Sequence, residues 1–278
     1  MTLLGVALGL VSAAVFGVAA VVQAAAVRAF ETSPDGLWGF VARSVSDLRT
    51  MLVVAAYLVG FVLHAAAIWL LPLYLAQALV AMSLPVTALA SRRVEEHLRP
   101  SGWAAVGVVT LGLVLLSLGA GDAGSVVTTT PFVVALWVGV AALAVASTRG
   151  RHLPGPLLGL LAGLGYAGSA ISVRGVGTPV ETAVVLAALA VPSFSLVAFW
   201  LYSLGMHRAA VPSATASLIV AQTFVPAAVG VALLGDGVRD GWWPGVTTGL
   251  LLAMGGAAVL GAGQKSRVVG EALNDASR

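Results

Sequence analysis

Leu3-Leu4-Gly5-Val6-Ala7-Leu8-Gly9-Leu10 and Leu157-Leu158-Gly159-Leu160-Leu161-Ala162-Gly163-Leu164 are two versions of one apolar, glycine-spaced octet, identical at five positions and 154 residues apart. A second echo follows in each half. Pro85, Glu95 ten residues on and Gly102-Trp103 correspond to Pro226, Asp236 ten residues on and Gly241-Trp242. The chain reads as two copies of one unit. In so apolar a chain, such a duplication points to a transporter built from repeats, with its substrate site between them.

Composition sets the class. Of the 278 residues, 59% are hydrophobic and only 9% charged, against roughly 25% charged in soluble domains. This predicts an all-α polytopic protein embedded in the lipid bilayer. The chain has no cysteine, which removes disulfides and thiolate metal sites. The net charge of +3 fits the basic loops of a membrane protein better than nucleic-acid binding. Ala24-Ala25-Ala26 resembles a cleavage site, but the first apolar stretch has no basic leader and its twin near 157–174 is internal. A retained helix is therefore expected rather than a signal peptide.

Apolar runs long enough to cross a bilayer predict nine transmembrane helices, near 3–27, 51–70, 72–90, 103–119, 130–147, 156–174, 182–204, 211–234 and 244–262. Leu71-Pro72 makes the second and third a tight pair, since proline favours a first helical turn. Segment 30–49, with Glu31, Asp35, Arg43, Asp47 and Arg49 around Leu37, Trp38 and Phe40, is too charged to span and reads as an interfacial stretch or short amphipathic helix. With nine spans, twelve of the fourteen basic residues fall on one side and only Arg174 and Arg239 on the other. The positive-inside rule then places the N-terminus outside and the C-terminus in the cytoplasm of a bacterial inner-membrane protein. Four helices per copy with a fifth span between them give an inverted 4+1+4 repeat. The expected units are 1–120 (first repeat), 126–148 (linking helix), 155–263 (second, inverted repeat) and 264–278 (disordered tail).

Two stretches carry a family resemblance. Ala76 to Leu118 holds Leu84-Pro85-Val86-Thr87-Ala88-Leu89, Glu95-Glu96 and a helix with Gly107 and Gly112; Ala214 to Gly261 holds Val225-Pro226, Leu233-Leu234-Gly235-Asp236, then Gly245, Gly249 and Gly255. This pattern resembles the drug/metabolite transporter superfamily (EamA-like proteins), in which a proline-containing helix, an acidic residue at its end and a small-residue helix close each half. The EamA-like form has five helices per half. The four-helix halves read here are similar to the nine-span NIPA-like branch, and that resemblance implies magnesium transport.

All eleven carboxylates fall outside the predicted spans or at their ends. This counts against a buried metal site and against a carboxylate-coupled pump. The polar residues inside spans are the candidates. His64 and Gln77 sit at similar depths on adjacent antiparallel helices, as ligands in one outward-facing pocket or as a packing hydrogen bond worth about 0.6–2 kcal/mol. Gln222 and Thr223 lie near mid-span close to Pro226, where an amide is costly unless bonded or facing a cavity. Tyr166, with Ser169 and Ser172, marks one stripe of its helix, and Gln23 lies near the cytoplasmic end of the first. Pro85 and Pro226 occupy equivalent places and read as hinges or as tolerated kinks. Arg28 reads as an interfacial anchor. Arg174 reads as an anchor or a lure for anions. Trp38, Trp103, Trp200, Trp242 and Trp243 read as aromatic-belt residues.

No nucleotide loop, zinc motif or nucleophile constellation is present, so neither an enzyme nor a cofactor is expected. The expected function is secondary transport or export of a small metabolite by alternating access. The alternatives are a Mg²⁺ permease, a non-transporting scaffold or regulatory subunit, and a flippase of a lipid-linked substrate. The expected partners are a small-molecule substrate or ion, the bilayer and a second copy in a homodimer.

Overall fold

The computed structural model describes residues 2–28, 36–71, 73–91, 99–119, 121, 128–150, 152–256 and 259. Glu31, Asp35, Arg92, Arg93, Glu95, Glu96, Asp122, Arg151 and the tail 264–278 lie outside them.

The described chain is helical almost throughout. In order it forms α1 (Thr2–Arg28), α2 (Gly36–Ser46), α3 (Leu48–Leu70), α4 (Leu73–Ala81), α5 (Ser83–Ala90), α6 (Pro100–Leu118), α7 (Thr130–Gly150), α8 (Gly155–Arg174), α9 (Thr182–Arg208) and α10 (Val211–Leu233). A last helical stretch covers 243–256. Among the described residues, seven helices are long and apolar enough to cross a membrane: α1, α3, α6, α7, α8, α9 and α10.

The other two expected spans differ in form. Residues 72–90 do not make one helix, because α4 stops at Ala81 and α5 starts at Ser83, with Met82 between them. Pro85 is the local cause. It has no N–H to return to the carbonyl of Ala81, and the Met82 N–H instead bonds back to Leu79 at 3.1 Å. Pro226 behaves differently, because α10 runs through it unbroken. The ninth expected span, 244–262, is described as helix over 243–256.

Local chemistry sets several boundaries. The Asp47 carboxylate caps α3, accepting from the Thr50 N–H at 2.9 Å and the Thr50 hydroxyl at 2.7 Å. These two bonds, the hydroxyl's first, hold its carboxyl below the usual value of 3.8. α6, α8 and α10 all begin with proline in the first turn. Segment 36–46 is the short helix read from sequence. It lies against α3 and α9, with Phe40 buried and Trp38 turned outward.

Two helices organise the packing. α1 lies along α3, α4 and α5, and α8 lies along α9 and α10. Lipid is as apolar as leucine, so close approach has to come from small residues. A Cβ on Gly159 or Gly163 would run into the backbone carbonyls of Ala214 and Leu218 on α10. On α1, a Cβ on Gly9 would come within 2.8 Å of Leu79. Gly112 of α6 and Gly249 of the last helix face one another, each blocking a side chain on the other. α7 packs beside α8 and α9. The outer surface is apolar, with Leu3, Leu52, Leu58 and Leu251 all more than half exposed.

Candidate functional site

A cavity of about 560 Å³ lies in the middle of the bundle, within the range that holds a drug-sized ligand. α1 contributes Phe16 and Ala20. α3 contributes a long wall from Val54 through Tyr57 and Phe61 to His64 and Ile68. α4 and α5 supply Gln77, Ser83 and Thr87, on either side of the Met82 break. α8 supplies Tyr166, Ser169 and Ala170; α9 supplies Val191, Pro192, Ser195, Leu196, Phe199 and Tyr202; α10 supplies Thr215, Leu218, Ile219 and Gln222. Most of this wall is carbon, and none of the described residues that line it is Asp, Glu, Lys or Arg.

The polar groups fall into small sets. Gln77 Nε2 lies 3.2 Å from His64 Nε2, and both side chains are buried. The Ser169 and Ser195 hydroxyls pair at 3.0 Å across α8 and α9, and the Tyr202 and Thr215 hydroxyls pair at 2.5 Å across α9 and α10. Thr87 donates to the Gly17 carbonyl at 3.3 Å. Aromatic rings fix the wall between these sets. Phe16 meets Tyr57 at 5.7 Å and the His64 ring edge-on at 6.5 Å, and Phe199 meets Tyr57 and Phe40, each at 5.6 Å.

Four of the six side chains expected at a binding site line this cavity: His64, Gln77, Tyr166 and Gln222. Two do not. Thr223 follows Gln222 on a helix that turns about 100° per residue, so it faces a different neighbour and is 1% exposed. Gln23 lies beyond the cavity on α1 and donates to Ser203 of α9 at 2.7 Å. Pro85 falls between the lining residues Ser83 and Thr87, whereas Pro226 is a turn beyond Gln222 and off the wall.

Three further readings change. Arg174 is held inside rather than turned out to the interface, because its guanidinium bonds the Asp236 carboxylate at 2.5 Å with side-chain exposures of 10% and 0%. Arg28 does more than anchor α1. It donates to the carbonyls of Met206 and Ala209, at 3.1 and 2.9 Å, where α9 ends and its carbonyls lack helical partners. Trp200 is 2% exposed and belongs to the core rather than to an aromatic belt.

The sequence reading missed Tyr57, Tyr202, Thr215, Pro192 and the phenylalanines. A signal was available. The chain has four tyrosines, and three of them line this one cavity. Tyr57 and Tyr166 sit well inside their helices, away from the interfacial depth at which tyrosine is ordinarily enriched. Among the described residues, no group of three or more His, Asp or Glu side chains is placed to hold a metal ion. Comparison of the chain with models of protein families, with curated proteins and with solved structures gives no match.

Proposed function

We propose that this chain is a secondary transporter that moves a small organic molecule across the membrane by alternating access, with the substrate held between two inverted four-helix repeats of the drug/metabolite transporter kind. The observation that carries the reading is the cavity. It lies at mid-bundle and draws on α1, α3, α4 and α5 from the first half of the chain and on α8, α9 and α10 from the second. A substrate there touches both halves, which is what a rocking mechanism requires.

The packing supports the repeat. α1 carries Gly9 against α4 as α8 carries Gly163 against α10, and Gly112 meets Gly249 where the closing helices of the two halves cross. Equivalent elements meeting face to face is the pattern expected around a two-fold axis. The break at Met82, beside the cavity, supplies a place for α4 and α5 to change their angle. The basic loops favour an N-terminus outside and a C-terminus in the cytoplasm.

Mg²⁺ prefers oxygen ligands that include one or two carboxylates. Among the described residues the cavity wall offers no carboxylate, so the permease reading is the weaker one. Entry from the lipid has a specific observation in its favour. Leu58 of α3 and Leu196 of α9 line the cavity and are 60% and 40% exposed, so this part of the wall is open. An apolar or lipid-linked substrate would pass between them.

Labelling tests the mechanism without knowing the substrate. The natural chain has no cysteine, so Ser169→Cys gives one thiol, on the cavity wall. A membrane-impermeant methanethiosulfonate reagent should modify it in both right-side-out and inverted vesicles. Protection from both sides, or access from one side only under every condition, refutes alternating access.

A further inference from the structure

We infer that the cavity takes an uncharged molecule with an apolar body and one amide-like edge, and that this edge docks on the His64–Gln77 pair. The inference rests on the transport reading and deepens it.

The pair has a specific hydrogen-bonding deficit. His64 Nε2 and Gln77 Nε2 are bonded to each other at 3.2 Å. His64 Nδ1 and Gln77 Oε1 have no protein partner, although the residues are only 6% and 0% exposed. A neutral imidazole carries one ring proton. If the Gln77 amide donates to Nε2, the proton is on Nδ1; the pair then presents an N–H from His64 and a carbonyl oxygen from Gln77. If the Gln77 amide is turned over, Nε2 carries the proton and donates to the carbonyl; the pair then presents a bare Nδ1 and an NH₂. Either way it offers one donor and one acceptor. A ligand edge with one donor and one acceptor satisfies both, and a primary or secondary amide, a lactam or a ureide has such an edge.

The rest of the wall narrows the class. Among the described residues no ionic side chain lines the cavity, so a carboxylate or an ammonium there would be buried without a counter-charge from them. A pure hydrocarbon would fill the volume but leave the two atoms unpaired. Phe16 holds the His64 ring edge-on and, with Phe61 and Phe199, supplies flat apolar surface for the body of the ligand. The Tyr57 hydroxyl, also without a protein partner, gives a second polar contact further along α3.

The test is equilibrium binding to the full chain in lipid nanodiscs, with empty nanodiscs subtracted. Four probes share the naphthalene ring but differ in the feature at issue: naphthaleneacetamide, naphthaleneacetate, methylnaphthalene and naphthylmethylammonium. The expected result is binding of the amide about 10- to 100-fold tighter than methylnaphthalene or the acetate. In Gln77→Leu the ratio of amide to hydrocarbon affinity should fall to about one. His64→Gln, which keeps a donor and an acceptor at that place, should retain part of it. Equal affinities in the parent chain, tighter binding of the anion or the cation, or an amide preference that survives Gln77→Leu overturns the inference. Binding is read at equilibrium, so that failure leaves alternating access standing, and alternating access fails separately on the labelling of Ser169→Cys.

Discussion

Arg174→Met removes the guanidinium that pairs with Asp236 and leaves a carboxylate of 0% exposure without that partner. The carboxylate has little freedom to escape. The Asp236 N–H is tied to the Gly230 carbonyl at 2.8 Å, and the side chain lies so close over Gly230 that a Cβ there would strike it. Breaking a buried pair by deleting one partner costs about 3–5 kcal/mol. At about 2–4 °C per kcal/mol for a chain of this size, the melting temperature should fall by roughly 6–20 °C. Asp236→Leu should also destabilise, because the guanidinium loses that carboxylate. The double variant Arg174→Met/Asp236→Leu should recover most of the loss, since a well-packed apolar pair is often as stable as a buried ionic one. The assay is thermal unfolding of the purified variants in one detergent, followed by intrinsic fluorescence. Single variants within about 2 °C of the parent, or a double variant that loses the sum of the two, would refute a buried pair that closes this end of the bundle.

Four other perturbations separate causes. Pro85→Ala restores an N–H opposite the Ala81 carbonyl, so α4 and α5 should join; helical content should rise, and modification of Ser169→Cys should slow from at least one side of the membrane, an outcome that unchanged rates would contradict. Gly163→Ala, whose Cβ meets the Leu218 carbonyl, should cost about 1–3 kcal/mol in thermal unfolding, whereas Gly107→Ala, with nothing within 4 Å, should be neutral or stabilising by up to about 1 kcal/mol. The Asp47 carboxyl is held below its ordinary range, so its contribution is complete above the unfolded value and disappears as pH falls through the folded one; the difference in melting temperature between parent and Asp47→Ala should be flat near neutrality and shrink below pH 3.8. Ser46→Cys and Val180→Cys, both at exposed positions, should label from opposite faces of the membrane, and labelling from one face would remove the expected topology.

Much of the architecture was legible because the bilayer narrows the choices. A run of some twenty apolar residues has to be a helix when no water is present to bond its backbone, and seven such runs are helices here. The glycine octet of the second half is also where backbones approach most closely, Gly159 and Gly163 lying against carbonyls of α10. His64 and Gln77 were paired correctly by counting depth along adjacent antiparallel helices, a one-dimensional sum that needs no knowledge of the fold.

What stayed hidden was the direction each helix faces. In a soluble helix the apolar stripe marks the inside, but here the lipid side and the core side are both apolar, and the pattern carries little angular information. That is why Thr223 looked equivalent to Gln222 although only the latter lines the cavity, why Trp200 was taken for a belt residue, and why Tyr57 was passed over. Arg174 and Asp236 are 62 residues apart, and no local rule joins them. The sequence by itself determined that this chain is a bundle of membrane-crossing helices, because backbone hydrogen bonds have no other outlet in hydrocarbon. Only the tertiary structure decided which polar side chains turn inward to share one cavity, because that choice is made by small residues letting particular helices touch.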